Sequence, residues 1–248
     1  SSCYLPMPVV GAGTANSECE VLTGMSTRLF GPGEYPYETC LMDKTVESVA
    51  YDLKEHGYAA HAIHNHRAAF YSRDQVYAHL GFHDFTALEY MPKVPVTMKN
   101  WAKDQVLTAQ IEKALDTTPD APDLVFTVSV QSNGKYPREQ VLDRPKVQVL
   151  ACPDEEYRYA LEYYAAQIRE VDEFIGELTE MLSRRQERTI LVLYGDHLPA
   201  LGLRGRDMAS GSLYKTEYVI WDNFGLEQED DDLYAYQLSA VALGRMGI

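Results

Sequence analysis

The amino-acid sequence predicts an α/β protein with a mostly parallel central sheet and helices on both faces. Two observations carry this. Short apolar runs at residues 58–63, 124–130, 189–193 and 217–221 have strand length. Segments with a helical apolar period lie between them, and strands alternating with helices build a largely parallel sheet. At 248 residues and 46% apolar content, the chain fits one domain with a large core.

Residues 1–13 are rich in Gly and Pro and read as a loop ending in Gly11-Ala12-Gly13. A helix is predicted from about Thr14 to Gly24. Its Thr/Asn/Ser/Glu start offers N-cap chemistry, or alternatively a hydroxyl presented where free backbone N–H groups converge, which suits an anion. The Gly- and Pro-rich residues 31–37 form a loop. Residues 45–56 place Val46, Val49, Ala50 and Leu53 on one helical face, with Gly57 as a stop. A strand at 58–63 leads into the basic, aromatic stretch 64–74, which is either a solvated loop or a pocket wall receiving an anion through His64 and Arg73. A short helix follows at 75–82, then another at 101–115. The run at 124–130 reads as a buried strand, the polar residues 131–137 as a loop, and 138–153 as irregular chain. Residues 155–185 form the longest helix, with Leu161, Tyr164, Ile168, Val171, Ile175, Leu178 and Leu182 as its core stripe. Residues 189–193 read as a fully buried strand, residues 200–213 as a loop, 217–221 as a strand, and 233–246 as the last helix after a solvated acidic run.

Composition narrows the function. The formal net charge of −15 gives no basic footprint for nucleic acid, so an anionic substrate needs local cations or a metal. Six of the seven histidines fall between His56 and His83, and the seventh is His197. The four cysteines (Cys3, Cys19, Cys40, Cys152) have no CxxC spacing, which argues against a zinc knuckle and leaves one or two disulfides open for an exported chain. No apolar run approaches the roughly 20 residues of a membrane helix, and no signal peptide is visible. The chain starts with Ser and reads as a piece of something longer.

The chemistry concentrates in loops that follow strands, where open α/β sheets bind ligands. One carries His64 and Arg73, one Asn133 and Lys135, and one Asp196 and His197. Thr14 sits at a helix start. An Asp-His pair supplies a hard oxygen and an imidazole nitrogen, half of a divalent metal site. Together these residues provide a hydroxyl nucleophile, a metal to lower its pKa, and cations for a phosphate or sulfate.

Three motifs resemble a known family: Gly11-Ala12-Gly13-Thr14-Ala15-Asn16-Ser17-Glu18, the stretch from His64 to Tyr71-Ser72-Arg73-Asp74, and Tyr194-Gly195-Asp196-His197-Leu198-Pro199. Their order and spacing are similar to the lipoteichoic acid synthase-like phosphoglycerol transferases of the sulfatase/alkaline phosphatase superfamily. The resemblance runs from about residue 8 to 225 and implies an alkaline phosphatase/sulfatase-like catalytic domain spanning 1–248. By the same resemblance Thr14 is the nucleophile and a metal ligand. Asp196 and His197 are metal ligands, most often for Mn2+, with Mg2+ or Zn2+ as alternatives. His64, Tyr71, Arg73 and Asn133 fall on the family's substrate-binding positions.

The expected substrate is an anionic glycerophospholipid head group of the phosphatidylglycerol type. The expected setting is the outer face of a bacterial cell membrane, reached through an N-terminal anchor. Sulfatase-like phosphodiester hydrolysis, phosphoethanolamine transfer and a catalytically impaired glycerophosphate-binding domain are the alternatives. The sequence departs from the family at three points. Tyr71 stands where Trp is common, and Asn133 stands where His is usual. The family's remaining ligand, a Glu on an upstream strand, has no counterpart, since none of the 13 residues before Thr14 is acidic.

Overall fold

A computed structural model describes residues 3–152 and 154–248; Pro153, in the stretch predicted to be irregular, lies outside them. Among the described residues six strands and six helices alternate for most of the chain, with the first helix followed by the second and the fifth strand by the sixth, in keeping with the α/β reading. The strands are β1 (Tyr4–Pro6), β2 (Ala59–His64), β3 (Asp84–Ala87), β4 (Asp123–Val128), β5 (Ile190–Tyr194) and β6 (Lys215–Asp222). The helices are α1 (Thr14–Thr23), α2 (Val49–Glu55), α3 (Arg73–His79), α4 (Leu107–Thr117), α5 (Glu155–Arg184) and α6 (Leu238–Met246).

The strands form two ladders. One has the order β3-β2-β4 and is parallel throughout. The other, β1-β6-β5, is antiparallel. Strands β1 and β3 had no counterpart in the sequence reading, because three and four residues are too few to show a period. The two ladders share a hydrophobic cluster beneath α4 and α5, which includes Ile63, Leu107, Ile111, Phe174, Leu178 and Leu191. Among the described residues, β4 and β5 each end a ladder on an unpaired edge.

Several expectations are corrected. The runs at 124–130 and 189–193 read as buried strands, yet every residue of β5, and of β4 before Val128, is only half-buried. Both are edge strands, so no neighbour covers one side of each. Helix α2 starts at Val49 rather than 45, because the Ser48 hydroxyl caps it by accepting the N–H groups of Ala50 and Tyr51. Helix α4 starts at Leu107 rather than 101. A bridge between Val96 and Ala102 and a 3-10 turn at Asp104–Val106 occupy the residues before it. The last helix starts at Leu238, after a 3-10 turn at Ala235–Gln237.

On α5 the buried face near the N-terminus is Ala160, Tyr163 and Gln167, one position before the predicted Leu161, Tyr164 and Ile168; Ile168 is 40% exposed. The stripe rejoins the core at Leu178 and Leu182. All four cysteines are free thiols, and burial pushes that of Cys19 up to about 12. No helix among the described residues is long and apolar enough to cross a membrane.

Candidate active site

The C-terminal ends of β4 and β5 and the first turn of α1 open onto one polar pocket. It is lined by Thr14, Asn133, Tyr136, Tyr164, Asp196 and His197, together with Ser129, Val130, Ser132 and Pro199. Thr14 and Asp196, 182 positions apart in sequence, meet there: the Thr14 hydroxyl donates a 2.5 Å hydrogen bond to Oδ2 of Asp196. The same oxygen lies 3.4 Å from Nε2 of His197. The His197 Nδ1–H donates to the Leu198 carbonyl at 2.9 Å, so Nε2 is the ring nitrogen on the Asp196 side.

Local structure explains how Thr14 arrives there. It is the first residue of α1, following Gly13 at φ +100°, and no side chain caps the helix. The N-cap reading of the Thr/Asn/Ser/Glu cluster is therefore corrected. A Cβ at position 13 would lie 2.9 Å from Cγ1 of Val9, so glycine alone makes this turn without strain. The cluster's side chains serve the site and the core instead. Ser17 donates to the Asp196 carbonyl at 2.6 Å, tying α1 to the loop after β5. The Gly11 N–H reaches the Leu198 carbonyl at 3.0 Å and closes the same seam from the other side.

Three residues predicted to hold the substrate do not line this pocket. Arg73 is 1% exposed and is taken by Glu18: Nε donates to both carboxylate oxygens at 3.2 Å, and Nη2 pairs with Oε1. Burial opposes the charge on Arg73, but Glu18 outweighs it and holds the guanidinium's pKa above its ordinary value. Tyr37 and Tyr77 also donate to Glu18, at 3.0 and 2.8 Å, so this carboxylate is fully engaged in the core. His64 is buried at the end of β2, and its Nδ1–H donates to the Val128 carbonyl at 2.8 Å. Burial, reinforced by Arg73, pulls its pKa down to about 3, so it carries no positive charge at neutral pH. Tyr71 stacks on Tyr35 with centroids 5.7 Å apart, and the Arg73 guanidinium lies 5.2 Å from its ring. None of residues 64–74 lines the pocket, and Arg73, the cation expected to receive an anion there, is paired in the core.

Sequence reasoning missed Ser17, Glu18, Tyr136 and Tyr164. Tyr164 was absorbed into the apolar stripe of α5, and Glu18 read as a cap; only tertiary contact separates these roles. The donor chemistry of Thr14, Asp196 and His197 suits a divalent cation: two oxygens and one imidazole nitrogen, with the imidazole oriented by a backbone carbonyl as metal-binding histidines commonly are. The set is short of a four-coordinate shell. No cluster of three or more His, Cys, Asp or Glu side chains fit for a metal occurs among the described residues.

A helix-borne hydroxyl thus lies beside an Asp-His pair at the strand ends of an α/β fold. Residues 6–247 match the sulfatase family, and the chain belongs to that family. A Rhizobium meliloti protein named for cyclic beta-1,2-glucan modification is 33% identical over 194 residues, covering 78% of this chain and 30% of the relative. The chain thus spans about a third of that relative's length. The fold matches Streptococcus pyogenes phosphoglycerol transferase GacH, solved with sn-glycerol-1-phosphate, at TM-score 0.83 and 21% identity over 98% of this chain and 64% of that one. It matches the lipoteichoic acid synthase LtaP of Listeria monocytogenes at TM-score 0.75 and 17% identity, over 100% and 64% of the two chains. The zinc complex of the periplasmic domain of EptC from Escherichia coli follows at TM-score 0.65 and 15% identity, over 99% and 71%.

Proposed function

We propose that this chain is the catalytic part of a metal-dependent phosphoglycerol transferase that uses Thr14 on a phosphatidylglycerol-type phosphodiester, in synthesis or modification of a cell-envelope polymer. The observation that carries this reading is the hydrogen bond from the Thr14 hydroxyl to Asp196, with His197 alongside, at the floor of a polar pocket. In the first half-reaction the Thr14 oxygen bonds to phosphorus and its proton passes toward Asp196. The bond from phosphorus to the diacylglycerol oxygen breaks, and that oxygen takes a proton from water. In the second, an acceptor hydroxyl bonds to phosphorus, the bond from phosphorus to the Thr14 oxygen breaks and the acceptor's proton goes to that oxygen, while the proton at Asp196 returns to the hydroxide left by the water. Asn133 at the pocket wall donates a hydrogen bond to a phosphoryl oxygen but has no acidic proton, which is why water protonates the leaving group in this scheme.

Thr14, Asp196 and His197 are the residues that would hold the divalent ion, with Mn2+ the first choice and Mg2+ or Zn2+ next. When bound, such an ion lowers the pKa of the hydroxyl and offsets phosphoryl charge. Its missing ligand fits a further strand. The open edges of β4 and β5, and the half-exposed apolar residues along both, support a segment outside these residues pairing there with a carboxylate at its C-terminal end. The domain, on this reading, is anchored at the membrane and faces outward.

The test is mass spectrometry of the full-length protein after incubation with phosphatidylglycerol and Mn2+. A glycerophosphate adduct on Thr14, absent in Thr14→Ala, is expected. Undiminished diacylglycerol release by a folded Thr14→Ala protein would sink the reading. Asn133 and the short donor set favour one alternative, an impaired domain that binds glycerophosphate without turnover; binding with no adduct in the full-length protein would establish it.

A further inference from the structure

The segment just before α4 buries an acid that the proposed chemistry does not use. Asp104 opens the 3-10 turn at Asp104–Val106 and is fully buried. The hydrogen bonds it takes come from neutral groups. Its Oδ1 accepts from Nδ2 of Asn65 at 2.7 Å and from the Val130 and Gln131 N–H groups at 3.3 and 3.4 Å. In return the Asp104 N–H donates to Oε1 of Gln131 at 2.8 Å.

Val130 and Gln131 begin the loop that follows β4, and this loop carries Asn133 to the pocket wall. The Asn133 N–H donates back to the Val130 carbonyl at 3.0 Å, closing a turn on the residue that Asp104 holds. Just past Asn133 the loop is held again: the Trp101 indole N–H donates to the Gly134 carbonyl at 2.7 Å. One short segment, from Trp101 to Asp104, therefore grips the loop on both sides of Asn133.

The segment is tied down in turn. Asn65, the residue after β2, also donates to the Ala102 carbonyl at 3.3 Å. Gln131 is 1% exposed and sends its Nε2 to Oε1 of Gln167 at 3.1 Å and Oε2 of Glu170 at 2.5 Å, while Lys103 pairs with Glu170 at 2.8 Å. The brace thus runs from β2 through the loop to α5, on which Tyr164 lines the same pocket. Burying a carboxylate without a cation is costly, and neutral donors offset that cost only when they are held in place around it. Asn133, for its part, has no charge to draw an anion from a distance. Its amide acts on a phosphoryl oxygen only at hydrogen-bond distance and direction, so the placing of the loop decides what it contributes.

We propose that Asp104 is a positioning residue for phosphoryl transfer: together with Trp101 it holds the loop after β4 so that the Asn133 amide meets the phosphoryl group attacked by Thr14. The proposal rests on the phosphoglycerol-transfer reading. Asp104 does not line the pocket and acts only through the loop.

The experiment is a double-mutant cycle in the full-length protein with two readouts: diacylglycerol release from phosphatidylglycerol with Mn2+, and calorimetry with sn-glycerol-1-phosphate. Trp101→Phe and Asp104→Ala are each expected to lower kcat/KM about tenfold. In an Asn133→Ala background the same substitutions are expected to cost less than about twofold, because the group they place is gone. Asp104→Asn, which keeps an acceptor oxygen, recovers most of the Asp104→Ala loss. A role in stability alone would cost the same in both backgrounds. Equal losses in the two backgrounds overturn the inference, as does a wild-type rate in the folded variants. Trp101→Phe keeps the ring and removes only the N–H, so it tests the grip even where Asp104→Ala does not fold. If wild type releases no diacylglycerol, the transfer reading has failed. The cycle on sn-glycerol-1-phosphate affinity then decides the positioning: it stands if Trp101→Phe weakens binding only while Asn133 is present, and any other result overturns it.

Discussion

At the scale of single residues, the molecule spends its charges in two different ways. Asp196 faces a solvent-reached pocket and takes the Thr14 hydroxyl, whereas Glu18, four residues along the same helix as Thr14, is sealed in the core with Arg73. Removing one member of a buried ion pair strands the other, at about 3–5 kcal/mol, whereas replacing both with apolar residues costs far less. Glu18→Leu alone is therefore expected to be strongly destabilised in urea unfolding, and Glu18→Leu combined with Arg73→Met to recover much of that loss. Additive losses would contradict the pairing. His61 is a second buried charge site. Its Nδ1 lies 2.7 Å from Asp84 and its Nε2 3.1 Å from Asp123. The hydrogen bond to Asp84 raises its pKa against the opposing effect of burial. A histidine whose folded pKa lies above its unfolded value of about 6.5 stabilises the fold fully below that pH, and loses the contribution as pH rises through the folded value. Stability should thus fall above pH 6.5 in wild type and less so in His61→Gln, read from denaturation midpoints across pH 5–9. Tyr163 is 1% exposed and its hydroxyl has no partner among the described residues. Tyr163→Phe should raise stability by about 1 kcal/mol, since a buried unsatisfied hydroxyl costs about 1–3 kcal/mol.

At the scale of elements, the site depends on how α1 begins. Gly13 turns the chain at φ +100° against Val9, and Thr14 follows immediately. Gly13→Ala is expected to cost about 1–3 kcal/mol in left-handed strain and to move the Thr14 oxygen away from Asp196. Adduct formation should drop further than stability, and an unchanged adduct rate would show that the turn does not set the hydroxyl. Helix α5 shows how far a pattern can be trusted. Its apolar stripe is a true core stripe at Leu178 and Leu182, but near the N-terminus the helix meets the pocket instead. Tyr164 lines the cavity there, while Tyr163, its neighbour in sequence, is buried. A 3.6-residue period marks which residues share a face and is silent on what covers it.

For the molecule as a whole, the main feature is the division into two ladders that end on β4 and β5. Apolar strands with one uncovered edge expose backbone N–H and C=O groups to exchange and pairing. Hydrogen exchange should therefore be faster at β4 and β5 than at the central β2, and should slow at β4 and β5 in the full-length protein if another strand inserts. Equal protection with and without the remainder of the chain would refute insertion.

The sequence by itself determined the alternation of strands and helices, the start of α1 at Thr14, and the placing of Asp196-His197 after a strand. These are local matters of period, glycine and strand-end chemistry. It also carried the family through short motifs in a fixed order. Only the tertiary structure decided that Thr14 and Asp196 touch, that Arg73 turns inward to Glu18, and that Trp101 and Asp104 grip the loop carrying Asn133. Charge and aromaticity are legible in one dimension, but which neighbour satisfies them is settled by packing between segments tens of residues apart.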